Sequence, residues 1–373
     1  MKRMKILVIV NAVFGYDGIS SVAMNYYLHQ DKSRVAMDLL TINPIFDDLA
    51  RVIQEDGNRS FVLGSRNRNP FGYVLALTKI IKKYKYDIVH VHGNSATMAV
   101  ELLAAKLAGC RVRVAHSHNT QCDHGKLNKL LMPLFSRLYT DCCACSKEAG
   151  EFLFGSRDCY VVNNGLYLPK YAFDEATRAR IRKEKGLDGK FVIGHIGRFR
   201  FQKNQEYLVS LLKQIQEQEK DAVLLLVGEG ETEAAVKQQA ADLGFGDSVV
   251  FYGTTDHVNE VVQAMDVFAF PSRFEGLGIV AIEAQAAGLN CVASDAVPRT
   301  IKVQDRVSFH PIEGHDAQWI NDLIAFRATP DQREESKADT KDRLRKAGFD
   351  IEKNCSDMLC YYEAILAAKG IKL

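Results

Sequence analysis

The sequence contains no apolar stretch long enough to cross a membrane as a helix, which takes about 20 residues. Its basic start, residues 1–5, is followed by a short apolar run, residues 6–10, which is too brief for the core of a signal peptide. Net charge is also nearly absent, because 48 Lys and Arg stand against 46 Asp and Glu, a balance of +2. These absences exclude a spanning protein and a nucleic-acid-binding polycation, and we expect a cytoplasmic chain that binds no nucleic acid.

Two motifs that commonly hold cofactors are missing as well. No Gly-x-Gly-x-x-Gly occurs, which argues against a nicotinamide-dependent dehydrogenase, and no Asp-x-Asp occurs to hold a metal–diphosphate complex. Nine cysteines are present, but Cys142, Cys143 and Cys145 have no second pair at the spacing of a zinc site. We therefore expect no metal and no cofactor, and we interpret this cysteine group as reduced thiols buried in a strand.

The chain does have the apolar residues for more than one core, since 47% of its 373 residues are hydrophobic. Short apolar runs alternate with amphipathic stretches in both halves, a pattern typical of parallel strands covered by helices on both faces. The runs lie at 5–11, 35–42, 87–92, 112–117 and 142–146, and again at 191–196, 222–227, 248–252, 267–270 and 290–294. This predicts an α/β chain of two Rossmann-like, doubly wound parallel-sheet domains facing a cleft, with a boundary near residues 165–171.

The small net charge hides an asymmetry between the halves. Residues 1–165 carry 21 Lys and Arg against 14 Asp and Glu, a balance of +7, and the remainder carries 27 against 32, a balance of −5. A basic half favours an anionic partner such as a lipid surface, although scatter over two solvated surfaces would give the same sums.

Ligands of such sheets bind beyond the carboxyl ends of the strands, so we expect the functional residues in the loops that follow strands. The loop at 12–18 contains two glycines and precedes a helix, which is a weak anion-binding signal. The loop at 197–204 is stronger, because Arg198, Arg200 and Lys203 follow the first strand of the second domain and suit a diphosphate.

A third loop, residues 271–278, leaves another strand of the second domain and enters a helix whose first backbone amides can face a phosphate. Glu275 and Glu283 are eight residues apart, about 12 Å of helical rise, which is too far for two carboxylates flanking one glycosidic bond. We expect one carboxylate to contact sugar hydroxyls and the other a ribose.

Four histidines follow first-domain strands in two His-x-His pairs, at 90 and 92 and at 116 and 118. Both pairs are predicted to face the cleft. A metal site is disfavoured because no acidic cluster lies nearby. Donation from His118 to a sugar or phosphate oxygen and simple packing both remain open.

Several of these segments together resemble the family 4 glycosyltransferases, retaining enzymes of the GT-B fold. The similarity is most specific in "IGRFRFQKNQEYL" (196–208) and "PSRFEGLGIVAIEAQAAG" (271–288). Softer matches are "GISSVAMNYY" (18–27), "AHSHN" (115–119), "CACSKEAGEFLFG" (143–155) and "VVNNG" (161–165). The branch that this chain resembles builds bacterial capsular polysaccharide or exopolysaccharide.

The resemblance implies residue roles. Arg198 and Lys203 would bind the donor diphosphate and stabilise the leaving nucleotide, Glu275 would contact the donor sugar, and Glu283 would bind the ribose. His118 would lie near the transferred sugar. The other donor-binding positions implied in this way are Gly18, Gly228, Gly276, Leu277, Gly278 and Ile279.

The same resemblance implies a metal-independent reaction in which a hexose passes from a nucleotide diphosphate sugar to a hydroxyl of a lipid-linked glycan or oligosaccharide. UDP is the commonest donor nucleotide of such enzymes. The implied domains are an acceptor domain (1–168), a donor domain (169–350) and a final helix (351–373) crossing back to the first. Peripheral contact with an anionic inner membrane face would use lysines on predicted helices: Lys79, Lys82, Lys83, Lys85, Lys126 and Lys129.

Three positions depart from the family pattern. Asp17 replaces the first of two glycines, Ser20 replaces a common Glu, and Gly278 replaces a common Pro. The first two leave phosphate binding by the 12–18 loop open. Two alternative functions therefore remain open: a nucleotide-sugar epimerase of similar fold and a non-catalytic subunit that binds sugar nucleotides. The sugar, acceptor, linkage and oligomeric state stay open too.

Overall fold

The computed structural model describes residues 3–11, 14, 18–64, 66, 69–119, 122 and 125–372. The chain forms two compact units, the first made of residues 1–166 and 350–373 and the second of residues 167–349. The final helix thus belongs to the first unit, although it follows the second in sequence.

The first unit is built on a seven-stranded parallel sheet with the order β3-β2-β1-β4-β5-β6-β7. Its strands are β1 (Met4–Val10), β2 (Val35–Thr41), β3 (Ser60–Val62), β4 (Ile88–Gly93), β5 (Val112–Ser117), β6 (Asp141–Ala144) and β7 (Tyr160–Val161). Its helices are α1 (Gly18–His29), α2 (Asp47–Glu55), α3 (Pro70–Tyr84), α4 (Ala99–Leu107), α5 (Gly125–Phe135), α6 (Lys147–Phe154) and the final helix α16 (Ile351–Ala368).

Helices cover both faces of this sheet, which explains why its central strands are apolar at nearly every position. In β1, Ile6 and Val8 pack towards α1, α2 and α16, whereas Leu7 and Ile9 pack towards α3, α4 and α5. Successive side chains point to opposite faces, so each strand contributes to two cores. Burying each such side chain contributes about 1.5–3 kcal/mol.

The second unit contains a six-stranded sheet with the order β10-β9-β8-β11-β12-β13. Its strands are β8 (Phe191–Ile196), β9 (Ala222–Val227), β10 (Val249–Gly253), β11 (Val267–Phe270), β12 (Cys291–Ser294) and β13 (Val307–His310). Its helices are α7 (Leu168–Tyr171), α8 (Glu175–Glu184), α9 (Gln205–Gln218), α10 (Glu233–Asp242), α11 (Val258–Val261), α12 (Ile279–Ala286), α13 (Asp316–Ala325), α14 (Pro330–Glu335) and α15 (Lys337–Lys346). Short 3₁₀ helices lie at Ala96–Met98, Gly246–Ser248, Val262–Ala264 and Arg299–Ile301.

The cysteine interpretation needs a correction. Cys142 and Cys143 are buried on β6, as expected, whereas Cys145 follows the strand and is only partly buried. Cys142 is bonded to Cys159 in a disulfide. The expectation that all the cysteines are reduced thiols is therefore wrong for this pair. Cys159 lies outside the apolar run at 142–146, so the spacing of the cysteines within that run did not indicate this disulfide.

The final helix is held against the first unit by a close backbone approach at Gly165. The Ile351 amide donates to the Leu166 carbonyl oxygen (3.0 Å). A Cβ on Gly165 would lie 2.6 Å from Cα of Ile351 and 2.8 Å from Nδ2 of Asn354. Only a glycine lets α16 begin here and bury Met358 and Tyr362 in the sheet's core.

We expect Gly165→Ala to destabilise the protein by about 1–3 kcal/mol, the usual cost of overpacking a filled site. Chemical denaturation monitored by circular dichroism measures it. The control is Gly125→Ala, since a Cβ there meets nothing within 4 Å. Equal stability of the two variants would contradict this account of the α16 contact.

Candidate functional site

The carboxyl edge of the second sheet is where its strand order reverses, between β8 and β11. These neighbours are parallel, with Val267 opposite Ile193, so the loops that follow them leave the sheet at the same edge. Their connections then run in opposite directions, which opens a crevice of the kind that binds ligands in doubly wound sheets. The two loops, residues 197–204 and 271–278, are those that the sequence singled out.

Hydrogen bonds join these two loops into one structure. The Arg273 amide donates to the Gln202 carbonyl oxygen (2.8 Å), and Nε2 of Gln202 donates to the Phe274 carbonyl oxygen (2.9 Å). Nη2 of Arg273 donates to Oδ1 of Asn204 (2.8 Å), the left-handed residue that precedes α9. The two loops therefore hold each other in place.

Lys203 and Glu275 form an ion pair across the loops, with Nζ 2.6 Å from Oε1. The side chains are 17% and 9% exposed, and Nζ also lies 5.1 Å from the centroid of the Phe270 ring. The pair is electrically neutral. Arg198 on the same loop is exposed and has no ion-pair partner among the described residues. Arg200 is likewise exposed and has no ion-pair partner among the described residues, so this loop keeps two uncompensated positive charges.

The loop after β9 packs backbone against backbone with the basic loop. A Cβ on Gly228 would lie 2.3 Å from the Gly197 carbonyl oxygen, and one on Gly230 would lie 2.3 Å from the Phe199 carbonyl oxygen. Both glycines also have positive φ, +130° and +158°, which other residues rarely adopt. Gly228, a predicted donor-binding residue, thus lets the loop after β9 pack closely against the basic loop, residues 197–204.

The residues Gly276, Leu277, Gly278 and Ile279 lead into α12. Gly278 precedes the helix with φ +82°, and none of the described side chains caps the helix N-terminus. The first amides of α12 are therefore open to an anion. The φ of Gly278 also explains a departure from the family pattern, because proline is restricted to φ near −65°.

Glu283 lies on α12 and is partly buried. Burial raises the pKa of its carboxyl group to about 7, and a hydrogen bond from the Tyr171 hydroxyl (2.9 Å) opposes that rise. Tyr171 on α7 was not singled out from the sequence, because it lies in a stretch without periodicity and 112 positions from its partner.

His195 is a second residue that the sequence did not reveal. Its ring lies fully buried at the end of β8, and Nδ1 donates to the Ala269 carbonyl oxygen (2.9 Å). Burial lowers its pKa to about 4, so the ring is neutral and Nε2 is an acceptor. Nε2 is buried without a partner among the described residues, 3.2 Å from the position of a Cβ on Gly197. An acceptor therefore lies directly beneath the basic loop.

In the first unit, the corresponding edge follows β1 and β4. Gly18 is the first residue of α1. Asp17 and most of the loop before it lie outside the described residues, so the structure does not decide how Asp17 affects phosphate binding. Ser20, the other departure, is fully buried on α1.

The four histidines divide between the interior and the edge. His90, His92 and His116 are buried on β4 and β5, and His90 is bonded to the Tyr362 hydroxyl (2.6 Å). That both pairs face the cleft stays a prediction. His118 lies past the end of β5, partly exposed, and its Nε2 lies 2.8 Å from Nδ1 of His92. Burial lowers the pKa of His118 to about 3, so its ring is neutral.

Ring nitrogens of His90, His92 and His116 lie within 4.8 Å of one another, a spacing at which histidines can hold a metal ion. One nitrogen of each ring is hydrogen-bonded to another histidine, His90 to His116 (3.1 Å) and His92 to His118, whereas Nε2 of His116 is buried without a partner among the described residues. The expectation of no metal stays a prediction.

Two family models match the chain, one to each unit. The model described as Glycosyltransferase Family 4 matches residues 16–166, and the model described as Glycosyl transferases group 1 matches residues 177–324. Together they cover most of both sheets.

Individual relatives agree with the models. The chain is 30% identical to the putative glycosyltransferase EpsF of Bacillus subtilis, over 92% of this chain and 93% of the relative. It is 31% identical to the UDP-Gal:alpha-D-GlcNAc-diphosphoundecaprenol alpha-1,3-galactosyltransferase of Escherichia coli, over 74% and 76% of the two chains. The crystal structure of Anabaena HepE in complex with UDP superimposes with a TM-score of 0.77 and 20% identity, covering 97% of this chain and 100% of that one. The chain therefore belongs to the family 4 glycosyltransferases and has the two Rossmann-like domains of the GT-B fold.

Proposed function

We propose that this glycosyltransferase moves a hexose from a UDP-sugar to a hydroxyl of a lipid-linked glycan during surface polysaccharide synthesis. The observation that carries the proposal is the edge of the second sheet. There an unpaired Arg198, the Lys203–Glu275 pair and the open N-terminus of α12 lie on the loops that follow the adjacent strands β8 and β11. These cations and amides would bind a diphosphate attached to a sugar.

The chemistry follows from the charges. As the bond from the anomeric carbon to the phosphate oxygen breaks, negative charge builds up on the leaving diphosphate, and fixed cations stabilise that charge more than they stabilise the bound donor. Arg198 and Lys203 supply these cations, in the role that a metal ion plays elsewhere. Glu275 holds Lys203 through Oε1, which leaves its other oxygen for a sugar hydroxyl. We propose retention by front-face attack, with the donor phosphate accepting the acceptor's proton.

Two observations support UDP as the donor nucleotide. HepE has been crystallised with UDP and with UDP-glucose, and the E. coli relative is named for UDP-Gal. In this chain, Glu283 would accept hydrogen bonds from the ribose hydroxyls, with Tyr171 holding one carboxylate oxygen.

The acceptor side of the proposal rests on the outer surface of the first unit. On α3, Phe71 is 85% exposed and Leu75 is 62% exposed, and exposed lysines continue the same stripe at helical spacing. On α5, Leu130 is 74% exposed. The exposed neighbours that complete this lipid-facing surface are Lys79, Lys82, Lys83, Lys126, Leu127, Lys129 and Leu134.

Helices α3 and α5 both contact α4 and cover the same face of the sheet. Apolar side chains flanked by lysines suit the interface of an anionic bilayer, where the lysines meet headgroups and the Phe and Leu side chains enter the acyl region. No helix in the described part of the chain is long and apolar enough to span a bilayer. We therefore propose peripheral attachment at the inner membrane face, where a diphospholipid-linked acceptor would be presented.

We expect Arg198→Ala and Lys203→Ala each to lower kcat by roughly 10²–10³-fold and to weaken donor binding much less. The physical reason is that the charge they stabilise grows in the transition state. Steady-state kinetics with a radiolabelled UDP-sugar and a lipid-linked acceptor measures both parameters, and Lys213→Ala on the exposed face of α9 is the control.

An unchanged kcat in both variants would contradict the proposed roles. Conversion of the donor to its epimer without a transferred product would indicate the epimerase alternative. Donor binding by the wild type without any turnover would indicate a non-catalytic subunit.

Nucleotide binding should strengthen as pH rises through about 7. The pKa of Glu283 is raised to about 7, so the carboxyl group is protonated below that pH and ionised above it, and only the ionised form accepts both ribose hydroxyls. Calorimetric titration with UDP between pH 5.5 and 8.5, chosen to span roughly 1.5 pH units on either side, measures the dependence. Glu283→Gln should bind more weakly and show no midpoint near pH 7.

Tyr171→Phe provides a sharper test of the same assignment. The Tyr171 hydrogen bond lowers the pKa of Glu283, so its removal should move the midpoint to a higher pH. A midpoint that stays fixed, or that moves to lower pH, would contradict the contact.

We expect Lys126→Glu/Lys129→Glu to weaken binding to phosphatidylglycerol vesicles by more than tenfold, because each lysine near an anionic surface contributes about 1 kcal/mol. Vesicle co-sedimentation at low salt measures it. The double charge reversal Lys213→Glu/Lys302→Glu, at exposed positions of the second unit, is the matched control. Wild-type protein that stays in the supernatant would refute the membrane proposal.

A further inference from the structure

Four histidine rings form a compact block on one face of the first sheet. His90 and His92 are two residues apart on β4 and therefore share a face of the sheet. His116 on β5 lies opposite His92 in the parallel register. His118 follows two residues later. Neighbouring rings stack along the strands, with centroids 4.6 Å apart for His90 and His92 and 4.1 Å apart for His116 and His118.

Two hydrogen bonds cross between the strands. The inner one joins Nε2 of His90 to Nδ1 of His116 (3.1 Å), and Nδ1 of His90 is anchored to the Tyr362 hydroxyl on α16 (2.6 Å). The outer one joins Nδ1 of His92 to Nε2 of His118 (2.8 Å). His118 is thus attached at one nitrogen to a residue that is itself 5% exposed.

His92 is held more rigidly than a surface side chain. Its ring stacks on His90 on one side and lies 5.0 Å from the centroid of His118 in a nearly parallel arrangement (19°). A support that is fixed by packing determines the geometry of the group bonded to it.

The direction of the outer hydrogen bond decides which nitrogen of His118 carries the proton. A neutral imidazole has one N–H donor and one acceptor nitrogen. If Nδ1–H of His92 donates, Nε2 of His118 is the acceptor and Nδ1 of His118 must carry its proton. No described residue accepts a hydrogen bond from that Nδ1. In the opposite arrangement Nε2–H of His118 donates to Nδ1 of His92, and Nδ1 of His118 is itself an acceptor. It could not then bond a phosphate oxygen or the ring oxygen of a sugar, which only accept.

We propose that His92 is a positioning residue, whose Nδ1–H holds Nε2 of His118 and fixes the tautomer in which His118 presents Nδ1–H to a substrate oxygen. The inference rests on the proposed function, because it needs His118 to meet a sugar or phosphate oxygen. His92 itself touches no substrate.

The test compares two substitutions at His92. His92→Phe keeps a ring for stacking but has no nitrogen, and His92→Asn keeps an amide donor near the position of Nδ1. Since one hydrogen bond is worth roughly a factor of ten, we expect kcat of His92→Phe to fall about tenfold with little change in the donor KM. His92→Asn should recover most of that loss. His90→Phe, which breaks the hydrogen bonds to His116 and Tyr362 but keeps the outer pair, should lower the melting temperature and leave kcat unchanged.

The ¹⁵N chemical shifts of the His118 ring in the full-length protein give an independent readout, with His118→Asn identifying the signals. We expect a protonated Nδ1 and an unprotonated Nε2 in the wild type, and a mixture of both tautomers in His92→Phe. A protonated Nε2 in the wild type, or the same tautomer in His92→Phe, would overturn the proposal.

The tautomer measurement needs no substrate, so it tests the positioning of His118 by His92 independently of the proposed glycosyltransferase function. A protein that transfers no sugar from any nucleotide donor but shows the expected His118 tautomer would refute the proposed function and support the pairing. Equal loss of kcat in His92→Phe and His92→Asn, with the tautomer unchanged, would refute positioning.

Discussion

The ion pair between Lys203 and Glu275 is the interaction on which the proposed donor site depends. It joins the loops after two adjacent parallel strands, and both side chains are largely withdrawn from water. Removing one partner of a pair buried in this way leaves an uncompensated charge, at a cost of about 3–5 kcal/mol. Because Glu275 neutralises Lys203 alone, the charge of Arg198 is left for a ligand. The adjacency of β8 and β11 therefore explains both the joining of the two loops and the pairing of Lys203 with Glu275.

The two sheets use the same topology for different chemistry. The edge of the second sheet carries cations and the open N-terminus of α12, which suit a diphosphate. The corresponding edge of the first sheet carries neutral histidines, whose pKa values burial holds well below the usual range. The positive charge of the first unit includes the exposed lysines of α3 and α5. Each unit thus has one distinct polar edge, and the first also carries the surface that we propose to face lipid.

The long strands and the main loops could be read from the sequence because burial on both faces makes each central strand a continuous apolar run. The edge strands β3, β7 and β13 could not, because they are short and partly exposed: Ser60 and Val62 face solvent in β3. The pairing of Tyr171 with Glu283, of Cys142 with Cys159 and of His92 with His118 depends on register and helix placement. These contacts join residues 112, 17 and 26 positions apart, and no local pattern encodes them. Gly278 illustrates the reverse case, where the structure explains a residue that the sequence could only describe as unusual.

The most direct test of the central claim is a thermal-shift panel of UDP, GDP, ADP and CMP on the wild type and on Lys203→Ala. A ligand that binds only the folded state raises the melting temperature. The account predicts that UDP stabilises the wild type most among the four. Free UDP, unlike the UDP-sugar, carries the full charge of the leaving group that Lys203 stabilises, so the variant should lose most of that shift. No shift with any nucleotide, or an equal shift in both proteins, would contradict a diphosphate site at the edge of the second sheet.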